Sequence, residues 1–533
     1  MIIGDTLEKN RRFYPDRLAV TDGKRRITYR EFTGNVFRTM HVLFHLKLAK
    51  GDRVACLLSN VPEIMELYFA VPFSGMIIVP LNYRLSPEEL RFQLEDSGAK
   101  VLVVEKQFLE KIALIRSDLK GIKEFIIVRG NDERCLNYEE IRTGYDPEIP
   151  DGIEVYENDI ADINYTSGTT GKPKGVMLTH KNMLSQVYGY KGFSGRWAGD
   201  GTDVIMASYP MFHVGVIGNF AGLVMGMQNV IINFDPQTIY AVLEREKVTK
   251  WCTAPIMLEM TFTNGMDPRD FDLSHLHFIA SAGQPQKLTT AKKAFEVFPN
   301  PELYFTVGLG LSETFTWIGY THITRKSLSK VETLMKTLPV KTEHVPAGMC
   351  GPLPHVDLKI VDDNGQETDA GKTGEVIVRG DNVMKGYWKN PGATREAIKD
   401  GWFHTGDMAM RHPEDPACHF VVGRKKEMIV TGAENVYPAE VELPIQEHPA
   451  VSAVVVFGVP DDKWGETVKA AVVLKPGAET TEKDIIEFCR KRIASYKKPT
   501  SVYFVSDFPR NTFGKILKNE LVRMAMEGCL KRD

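Results

Sequence analysis

Cysteine is sparse in this 533-residue sequence, and no two cysteines form a CxxC pair. The seven cysteines are scattered between Cys56 and Cys529. Scattered single cysteines exclude the usual ligand spacing of a structural zinc site and do not form a disulfide framework. They are typical of a protein from a reducing compartment, and we expect a cytoplasmic location.

Long apolar runs and an excess of one charge are also missing. The longest weakly polar stretch, residues 214–232, is interrupted by Asn219, Gln228, Asn229 and several glycines, so we expect a buried segment and no transmembrane segment. The first residues lack the apolar region of a signal peptide. Lysine and arginine together number 66 against 69 acids, and the net charge of −3 gives no reason to expect nucleic-acid binding.

Strand-like and helix-like patterns alternate through most of the chain. DRVACLLS precedes EIMELYFAV, and KVLVVEK precedes FLEKIALIRSDL. This alternation predicts an α/β fold with largely parallel sheets, and the length exceeds one ordinary core. The charged stretch GRKKE precedes a final segment with its own strand and helix pattern. We therefore predict a first domain over residues 1–424, a small α+β domain over 425–533 and a hinge near Lys426.

The stretch YTSGTTGKPKG, residues 165–175, combines glycines, hydroxyls and lysines without an acid. Glycine lets backbone N–H groups converge on one point, hydroxyls donate hydrogen bonds and lysine adds charge, so the stretch suits a phosphate group. A flexible linker is the alternative, but a strand-like run precedes the stretch and a helical pattern follows it. It is not a Walker P-loop, because Pro173 stands where that motif has serine or threonine.

Four shorter motifs add candidate residues that are weak signals when taken alone. His213 in PMFHVG stands in an apolar turn, where a lone histidine is more often a core residue. GLGLSE, residues 308–313, suits a nucleotide with Mg²⁺ but also an ordinary strand-to-loop turn. Asp407 in GWFHTGD can accept two ribose hydroxyls or form a turn. Lys515 in PRNTFGKILK is by itself typical of a solvated charge.

Taken together and in this order, YTSGTTGKPKG, PMFHVG, GLGLSET, GWFHTGD, GRKKEMIVTGAENVYPAEVE and PRNTFGKILK closely resemble the adenylate-forming superfamily. That superfamily includes acyl-CoA synthetases, adenylation domains of nonribosomal synthetases and beetle luciferases. The resemblance covers nearly the whole chain, and LNYRLSPEEL looks most like the fatty-acyl and aryl-acid CoA ligases. It implies a large N-terminal domain of α/β subdomains with mixed sheets, and a small mobile α+β C-terminal domain.

The resemblance also implies the use of ATP, Mg²⁺ and CoA, and it assigns roles to individual residues. ATP or AMP would contact Thr166, Ser167, Gly168, Thr169, Thr170, Gly171, Lys174, Gly283, Gln284, Gly308, Leu309, Gly310, Ser312, Asp407 and Arg424. The catalytic residues would be Lys515, His213 and Glu313, with Glu313 as the Mg²⁺ ligand. The acyl pocket would include His213, Val214, Gly215 and Gly308, while Lys426 and Gly432 would serve as hinge and CoA tunnel.

Three positions depart from the usual pattern of that superfamily. Leu309 replaces an aromatic residue that stacks on adenine, so we expect packing on the base without stacking. The hinge region has Lys426-Glu427, where aspartate is common at one of the two positions. Ala433 replaces a second glycine, and we expect a slightly narrower CoA tunnel.

The expected activity is an acid–CoA ligase acting on a medium- or long-chain fatty acid, because small residues surround the expected acyl pocket. These residues are Gly215, Gly218, Ala282, Gly283, Gly308 and Gly310. An aryl acid is the alternative, with Phe220, Phe315 or Trp317 stacking on the ring. A lysine or arginine near the pocket would instead favour a substrate acid that carries a second carboxylate. A loader of a separate carrier protein and a nucleotide-binding regulator without catalysis are the remaining alternatives, and a homodimer is compatible with each.

Overall fold

A computed structural model describes residues 1–166, 173–193, 203–283, 286–338, 345–346, 351–415, 418–431, 434–461, 464–493, 495–510 and 516–531. The chain divides into two compact units. The first comprises Met1–Leu328, Cys350–Leu358 and Val378–Phe403, and the second comprises Ser329–Met349, Lys359–Ile377 and His404–Asp533. The predicted boundary at residues 424 and 425 and the hinge near Lys426 stay predictions.

Sixteen helices are present in the described part of the chain. They are α1 (Ile3–Phe13), α2 (Tyr29–His45), α3 (Pro62–Phe73), α4 (Pro87–Ser97), α5 (Leu109–Ala113), α6 (Tyr138–Thr143), α7 (His180–Phe193), α8 (Ile217–Val224), α9 (Ile239–Arg245), α10 (Pro255–Phe262), α11 (Leu288–Val297), α12 (Leu328–Thr337), α13 (Pro391–Ala397), α14 (Pro438–Gln446), α15 (Glu482–Arg490) and α16 (Lys518–Met526).

Local sequence explains where several of these helices begin. Ser86 caps α4 by accepting a hydrogen bond from the Glu89 backbone N–H, and the Glu89 carboxylate bonds back to Ser86. Proline at the next position supplies a fixed φ where no backbone donor is needed. Gly98 ends the same helix at a φ of 65°, which glycine adopts without strain.

Among the described residues, no helix has the length and apolar character needed to span a bilayer.

The described strands number twenty-six. They are β1 (Leu18–Thr21), β2 (Arg26–Thr28), β3 (Arg53–Leu57), β4 (Ile77–Pro80), β5 (Val101–Glu105), β6 (Glu124–Val128), β7 (Leu136–Asn137), β8 (Ile160–Thr166), β9 (Lys174–Thr179), β10 (Val204–Ala207), β11 (Gln228–Ile231), β12 (Lys250–Thr253), β13 (Phe278–Ser281), β14 (Tyr304–Leu311), β15 (Thr316–Ile323), β16 (Val356–Val361), β17 (Thr373–Gly380), β18 (Gly386–Tyr387), β19 (Ile398–Lys399), β20 (Trp402–Arg411), β21 (His419–Arg424), β22 (Ile429–Thr431), β23 (Glu434–Val436), β24 (Val451–Asp461), β25 (Gly465–Leu474) and β26 (Ser501–Phe504).

The first unit contains two eight-stranded sheets. Their strand orders are β15-β14-β13-β12-β10-β11-β1-β2 and β18-β9-β8-β4-β3-β5-β6-β7. The central pairs, such as β10 with β12 and β12 with β13, are parallel, while β14 with β15 and β8 with β9 are antiparallel. The prediction of mixed α/β sheets is therefore confirmed. Parallel strands point their carboxyl ends to one edge, where ligand sites of such sheets commonly lie.

Two smaller sheets complete the fold. One has the order β16-β17-β20-β19, with β21 paired to β20. The other has the order β23-β22-β25-β24, with β26 paired to β25. The second of these has its own buried core, formed by residues such as Val441, Val456, Val468, Ile485 and Val502. The predicted smaller α+β part of the chain thus has an independent apolar core.

Candidate active site

The stretch predicted to bind phosphate joins two antiparallel strands. The last residue of β8, Thr166, lies opposite the first residue of β9, Lys174, so the strands bring the two ends of the stretch together. The Thr166 hydroxyl donates a 3.4 Å hydrogen bond to the Lys174 carbonyl. Of the residues predicted to contact ATP, Ser167, Gly168, Thr169, Thr170 and Gly171 lie outside the described residues.

Lys174 and Glu313 are linked through one tyrosine. The Tyr387 hydroxyl donates a 2.9 Å hydrogen bond to Oε1 of Glu313, and the Lys174 ammonium lies 4.8 Å from the centre of the Tyr387 ring. Burial, together with the adjacent Glu313 charge, raises the pKa of Tyr387 well above its usual range, so the hydroxyl remains a donor. The Met384 backbone N–H also donates to the Glu313 carbonyl at 2.8 Å. No motif in the sequence points to Tyr387, which follows Gly386 in a two-residue strand.

The β14–β15 turn positions Ser312 and Glu313. Ser312 begins a short 3₁₀ turn that ends at Thr314, and Phe315 follows with a φ of 46°. Ser312 is buried and lines a cavity in the first unit. Gly310 lines the same cavity, and Leu309 is half-buried on β14 outside its wall.

That cavity has a volume of about 190 Å³. Its lining is predominantly apolar and comes from β10, β12, β13, α8 and the β14–β15 hairpin. The lining residues are Ile205, Tyr209, His213, Gly215, Ile217, Gly218, Ala221, Lys250, Cys252, Phe278, Ala280, Ala282, Gly283, Gly310, Leu311, Ser312, Thr316 and Trp317. Small residues on α8 and on the strands leave space for an apolar group.

His213 lies at one end of the cavity, in the turn before α8. Its backbone N–H donates to the Pro210 carbonyl at 3.3 Å, and its carbonyl accepts from Val216 at 2.9 Å. The imidazole is accessible through the cavity but has lost much of its hydration, which lowers the pKa of His213 to about 4. His213 is therefore neutral at neutral pH. Gly215 follows it on the cavity wall, and Val214 begins the intervening 3₁₀ turn.

The three aromatic residues considered for stacking on a ring occupy different environments. Phe220 is fully buried, with ring centres 5.2 Å from Phe69 and 6.0 Å from Phe315, and neither Phe220 nor Phe315 lines the cavity. Trp317 does line it. The Trp317 indole also covers Gly308, where an added Cβ would lie 2.1 Å from a ring carbon, and Gly308 is not part of the cavity wall.

The segment expected to contact adenine begins at Ala282. Its backbone N–H donates a 2.9 Å hydrogen bond to the Tyr209 hydroxyl, which ties the end of β13 to the loop before His213. Gly283 follows with a φ of 87°, a conformation that favours glycine. Gln284 and Pro285 lie outside the described residues.

Asp407 and Arg424 lie side by side on β20 and β21 in the second unit. They are direct partners in the antiparallel ladder, and Nε of Arg424 lies 2.7 Å from Oδ1 of Asp407. The Asp407 backbone N–H also donates to the Thr405 hydroxyl at 3.0 Å. The two predicted ribose ligands are thus brought together. Lys426 follows in a short 3₁₀ turn, whereas Gly432 and Lys515 lie outside the described residues.

Lys250 is a second functional candidate to which no motif points. It begins β12, lines the cavity and is only 1% exposed. A lysine at the start of a strand is normally a solvated charge, so the sequence carries no signal for this burial.

Comparisons with known proteins agree on one family. The family model described as AMP-binding enzyme matches residues 7–388, and the model described as AMP-binding enzyme C-terminal domain matches residues 440–515. Feruloyl-CoA synthase of an Amycolatopsis species is 33% identical over 98% of this chain and 98% of its own length. The 4-hydroxybutyrate–CoA ligase 2 of Metallosphaera sedula is 32% identical over 96% and 93%, respectively. Long-chain-fatty-acid–CoA ligase of Escherichia coli O157:H7 is 32% identical over 89% and 86%.

Solved structures show the same relationship. The o-succinylbenzoate CoA synthetase from Bacillus subtilis, in complex with its acyl-adenylate intermediate, has a TM-score of 0.80 at 27% identity and covers 97% of this chain and 98% of its own. A fatty acyl CoA synthetase from Mycobacterium tuberculosis has a TM-score of 0.76 at 28% identity, covering 99% of each chain. By the length and identity of these matches, the chain belongs to the AMP-binding enzymes, in their acyl-CoA synthetase branch, and is an ATP-dependent carboxylic acid–CoA ligase that works through an acyl-AMP.

Proposed function

We propose that this ligase activates an apolar carboxylic acid in the cavity beside His213 and Ser312. The observation that carries the proposal is the apolar lining of that cavity next to residues expected to hold the reacting groups. Burial of an apolar tail there contributes roughly 25 cal/mol per Å² of area removed from water. The neutral His213 adds no charge beside the acid, so the carboxylate remains free to attack the α-phosphorus.

The contacts to ATP come from the residues named by the family pattern. Thr166, Lys174 and the intervening loop hold the β- and γ-phosphates, and Ser312 contacts the α-phosphate. Gly283, Gln284, Gly308, Leu309 and Gly310 border the adenine. Asp407 and Arg424 hold the ribose hydroxyls. The proximity of Asp407 and Arg424 in their own unit supports this pairing.

Glu313 is suited to hold Mg²⁺. One oxygen of its carboxylate accepts from Tyr387, and the remaining lone pairs are available to a hard cation that also takes phosphate oxygens and water. Among the described residues, no group of three or more acidic, histidine or cysteine side chains forms a metal site. A cation held by Glu313 would supply positive charge to offset the negative charge of the phosphates.

Lys515 is proposed to bridge the acid carboxylate and the α-phosphate in the first half-reaction. Its ammonium would offset the repulsion between two anions and stabilise the transition-state charge. The second half-reaction requires the CoA thiol at the same carbonyl, and Lys426 and Gly432 are assigned to that step as hinge and tunnel. The scattered cysteines support a cytoplasmic location for both steps.

Two classes of acid fit the apolar lining. A medium- or long-chain fatty acid fits the small residues on the cavity wall, and a fatty-acid ligase is among the relatives. An aryl acid is favoured by Trp317, whose indole contributes a flat wall, and feruloyl-CoA synthase is also among the relatives. A charged or strongly hydrophilic tail fits neither description.

A screen of carboxylic acids with ATP, Mg²⁺ and CoA tests the proposal. Fatty, aryl, dicarboxylic and amino acids are incubated separately, and mass spectrometry detects acyl-AMP and acyl-CoA. A CoA thioester from a fatty or aryl acid is the expected product. Acyl-AMP without a thioester for any acid would point to a carrier protein as acceptor, and thioesters from amino acids alone would refute the apolar-acid proposal.

A further inference from the structure

The turn formed by residues 312–317 contains two consecutive residues with positive φ. Phe315 has a φ of 46° and Thr316 has a φ of 107°. Such values are uncommon outside glycine, and in a β-branched residue such as threonine they store backbone strain that persists only where surrounding contacts hold it. The turn begins at Ser312, and Thr316 and Trp317 at its end line the cavity. Its conformation therefore sets the shape of the cavity wall and the place of the serine.

A glutamine of α7 is bonded to the end of this turn. Nε2 of Gln186 donates to the Thr316 hydroxyl at 3.2 Å and to the Trp317 carbonyl at 3.0 Å. Gln186 is fully buried, and a hydrogen bond to a buried carbonyl is costly to lose. A carbonyl oxygen can only accept, so the contact with Trp317 fixes the orientation of the Gln186 amide, with Nε2 towards the turn.

His355 bonds the other end of the same amide. Nε2 of His355 lies 3.1 Å from Oε1 of Gln186, and because Oε1 can only accept, that ring nitrogen carries the proton and donates. Burial lowers the pKa of His355, so the ring is neutral at neutral pH. The ring lies against Gly189 of α7, where an added Cβ would collide with the imidazole. His355 therefore holds Gln186 in the orientation that its bond to Trp317 requires.

Asn182, one helical turn before Gln186, ties α7 to the middle of the same turn. Its Nδ2 donates to two backbone carbonyls of residues 381–383, at 2.8 Å each. Within that loop, Nδ2 of Asn382 donates to the Thr314 carbonyl at 3.4 Å. Side chains four residues apart lie on one face of a helix, so a single face of α7 holds the 312–317 turn at two points.

We infer that Gln186 is a positioning residue for the acid site: it holds the 312–317 turn in its strained conformation, and His355 holds Gln186. Gln186 is not part of the cavity wall that the described residues form, so it acts through Thr316 and Trp317. Without its two bonds the turn would relax, and both the cavity wall and Ser312 would move. This role goes beyond the proposed function, from which it takes only the cavity as the place where the acid binds.

The first test is Gln186→Met in the full-length enzyme, with the acid that the wild type activates fastest in the screen. Methionine keeps the approximate shape of the side chain and removes both bonds. We expect KM for the acid to rise about tenfold and kcat for acyl-AMP formation to fall about tenfold, because a buried carbonyl loses this donor and the reacting groups move apart. A purely structural loss would lower the folded fraction, and with it the apparent kcat, while KM for the acid stayed at its wild-type value.

Gln237→Met is the matched control. The Gln237 side chain also donates to a backbone carbonyl of the first unit, that of Asn264 at 3.2 Å, but at an exposed position. This variant should keep the wild-type KM and kcat. Thermal unfolding of both variants measures the folded fraction at the assay temperature.

Two variants of His355 test its link to Gln186. His355→Phe keeps a flat ring and removes the donor, so KM for the acid should rise about threefold, whereas His355→Gln keeps a neutral donor and should lie closer to wild type. The double variant Gln186→Met/His355→Phe should be no worse than Gln186→Met alone, since the histidine acts through the glutamine. Losses that multiply in the double variant would show that His355 does not act through Gln186.

Gly308→Ala, which displaces the Trp317 indole directly, separates this role from the proposed function. If Gly308→Ala raises KM for the acid and a folded Gln186→Met leaves it unchanged, the role of Gln186 is refuted while the cavity stands. If neither variant changes that KM, the acid binds elsewhere, and both the cavity and the role of Gln186 fail. If Gln186→Met does not fold, His355→Phe decides, and an unchanged KM for the acid in that variant would overturn the inference.

Discussion

Tyr387 shows how a single side chain can prepare the proposed metal ligand. Its hydroxyl bonds Glu313 at 2.9 Å, and burial keeps that hydroxyl protonated. Tyr387→Phe retains the ring beside Lys174 but frees the Glu313 carboxylate. We expect adenylation kcat to fall by about tenfold and the Mg²⁺ concentration for half-maximal rate to rise, with little change in KM for the acid. Steady-state kinetics over a Mg²⁺ titration measure both effects.

The matched control is Tyr156→Phe, since Tyr156 is 64% exposed and far less constrained. It should match wild type in both quantities. An unchanged Mg²⁺ requirement in Tyr387→Phe, together with an unchanged kcat, would show that Tyr387 does not position Glu313.

Asp162 on β8 is a residue whose burial affects stability more directly than catalysis. It is fully buried, and neither carboxylate oxygen has a hydrogen-bond partner among the described residues. Burial raises the pKa of Asp162 well above 3.8. The folded state therefore holds this proton to a higher pH than the unfolded state does, and this contribution to stability falls as pH rises above the unfolded pKa.

Asp162→Asn removes this titration in a similar volume. We expect the free energy of unfolding to increase by about 1–3 kcal/mol near pH 8, and the gain to shrink as pH falls below 3.8, where the unfolded state of the wild type also binds the proton. Denaturant unfolding across this pH range measures the difference. A gain that did not vary with pH, or a loss of stability at high pH, would contradict the assigned protonation.

At the scale of elements, the β14–β15 hairpin contains a glycine that lies beneath a tryptophan of the cavity wall. The Trp317 indole lies over Gly308 and also lines the cavity. The methyl group that the substitution Gly308→Ala adds would have to displace the indole, because a close-packed interior has no free space for it. We expect KM for the acid to rise by about tenfold and the free energy of unfolding to fall by about 1–3 kcal/mol.

Gly144→Ala provides the control for Gly308→Ala. Gly144 has a φ of −81°, and apart from the two residues adjacent in the chain no residue has an atom within 4 Å of the point that the alanine methyl group would occupy, so alanine fits there without strain. Its kinetic constants should equal those of wild type. If Gly308→Ala also left the acid KM and stability unchanged, Trp317 would not be fixed by the glycine beneath it.

The same hairpin illustrates what can be predicted from sequence. Glycines followed by Ser312 and Glu313 at the end of a strand predict a turn with ligand-binding groups, since this information is local. The alternation of apolar and polar residues along one strand does not reveal which side chain of the neighbouring strand covers a glycine. Trp317 over Gly308 depends on that cross-strand packing. Lys250 is similar, because its burial depends on Asp203 and His277, which immediately precede the neighbouring strands β10 and β13.

At the scale of the whole molecule, the order of motifs predicted the family and the mixed α/β fold well, because six motifs in sequence carry more information than any one of them. The sequence is a poorer guide to which of the two units holds each group of candidate functional residues. The first unit holds the cavity and Glu313, and the second holds Asp407 and Arg424. The enzyme catalyses two successive half-reactions. A variant in either part of the chain can therefore be tested for its effect on the rate of each half-reaction separately.

The last prediction separates those half-reactions. Lys515→Ala should lower acyl-AMP formation by about 100-fold or more, since it removes a cation from the developing charge, while CoA transfer to supplied acyl-AMP should change far less. Lys426→Pro should do the reverse, because proline restricts the backbone where the hinge is proposed. Rapid-quench measurement of each step, with Lys425→Met as the neighbouring control, tests both. Equal losses in both steps for Lys426→Pro would place the hinge elsewhere, and near-normal acyl-AMP formation by Lys515→Ala would remove Lys515 from the chemistry.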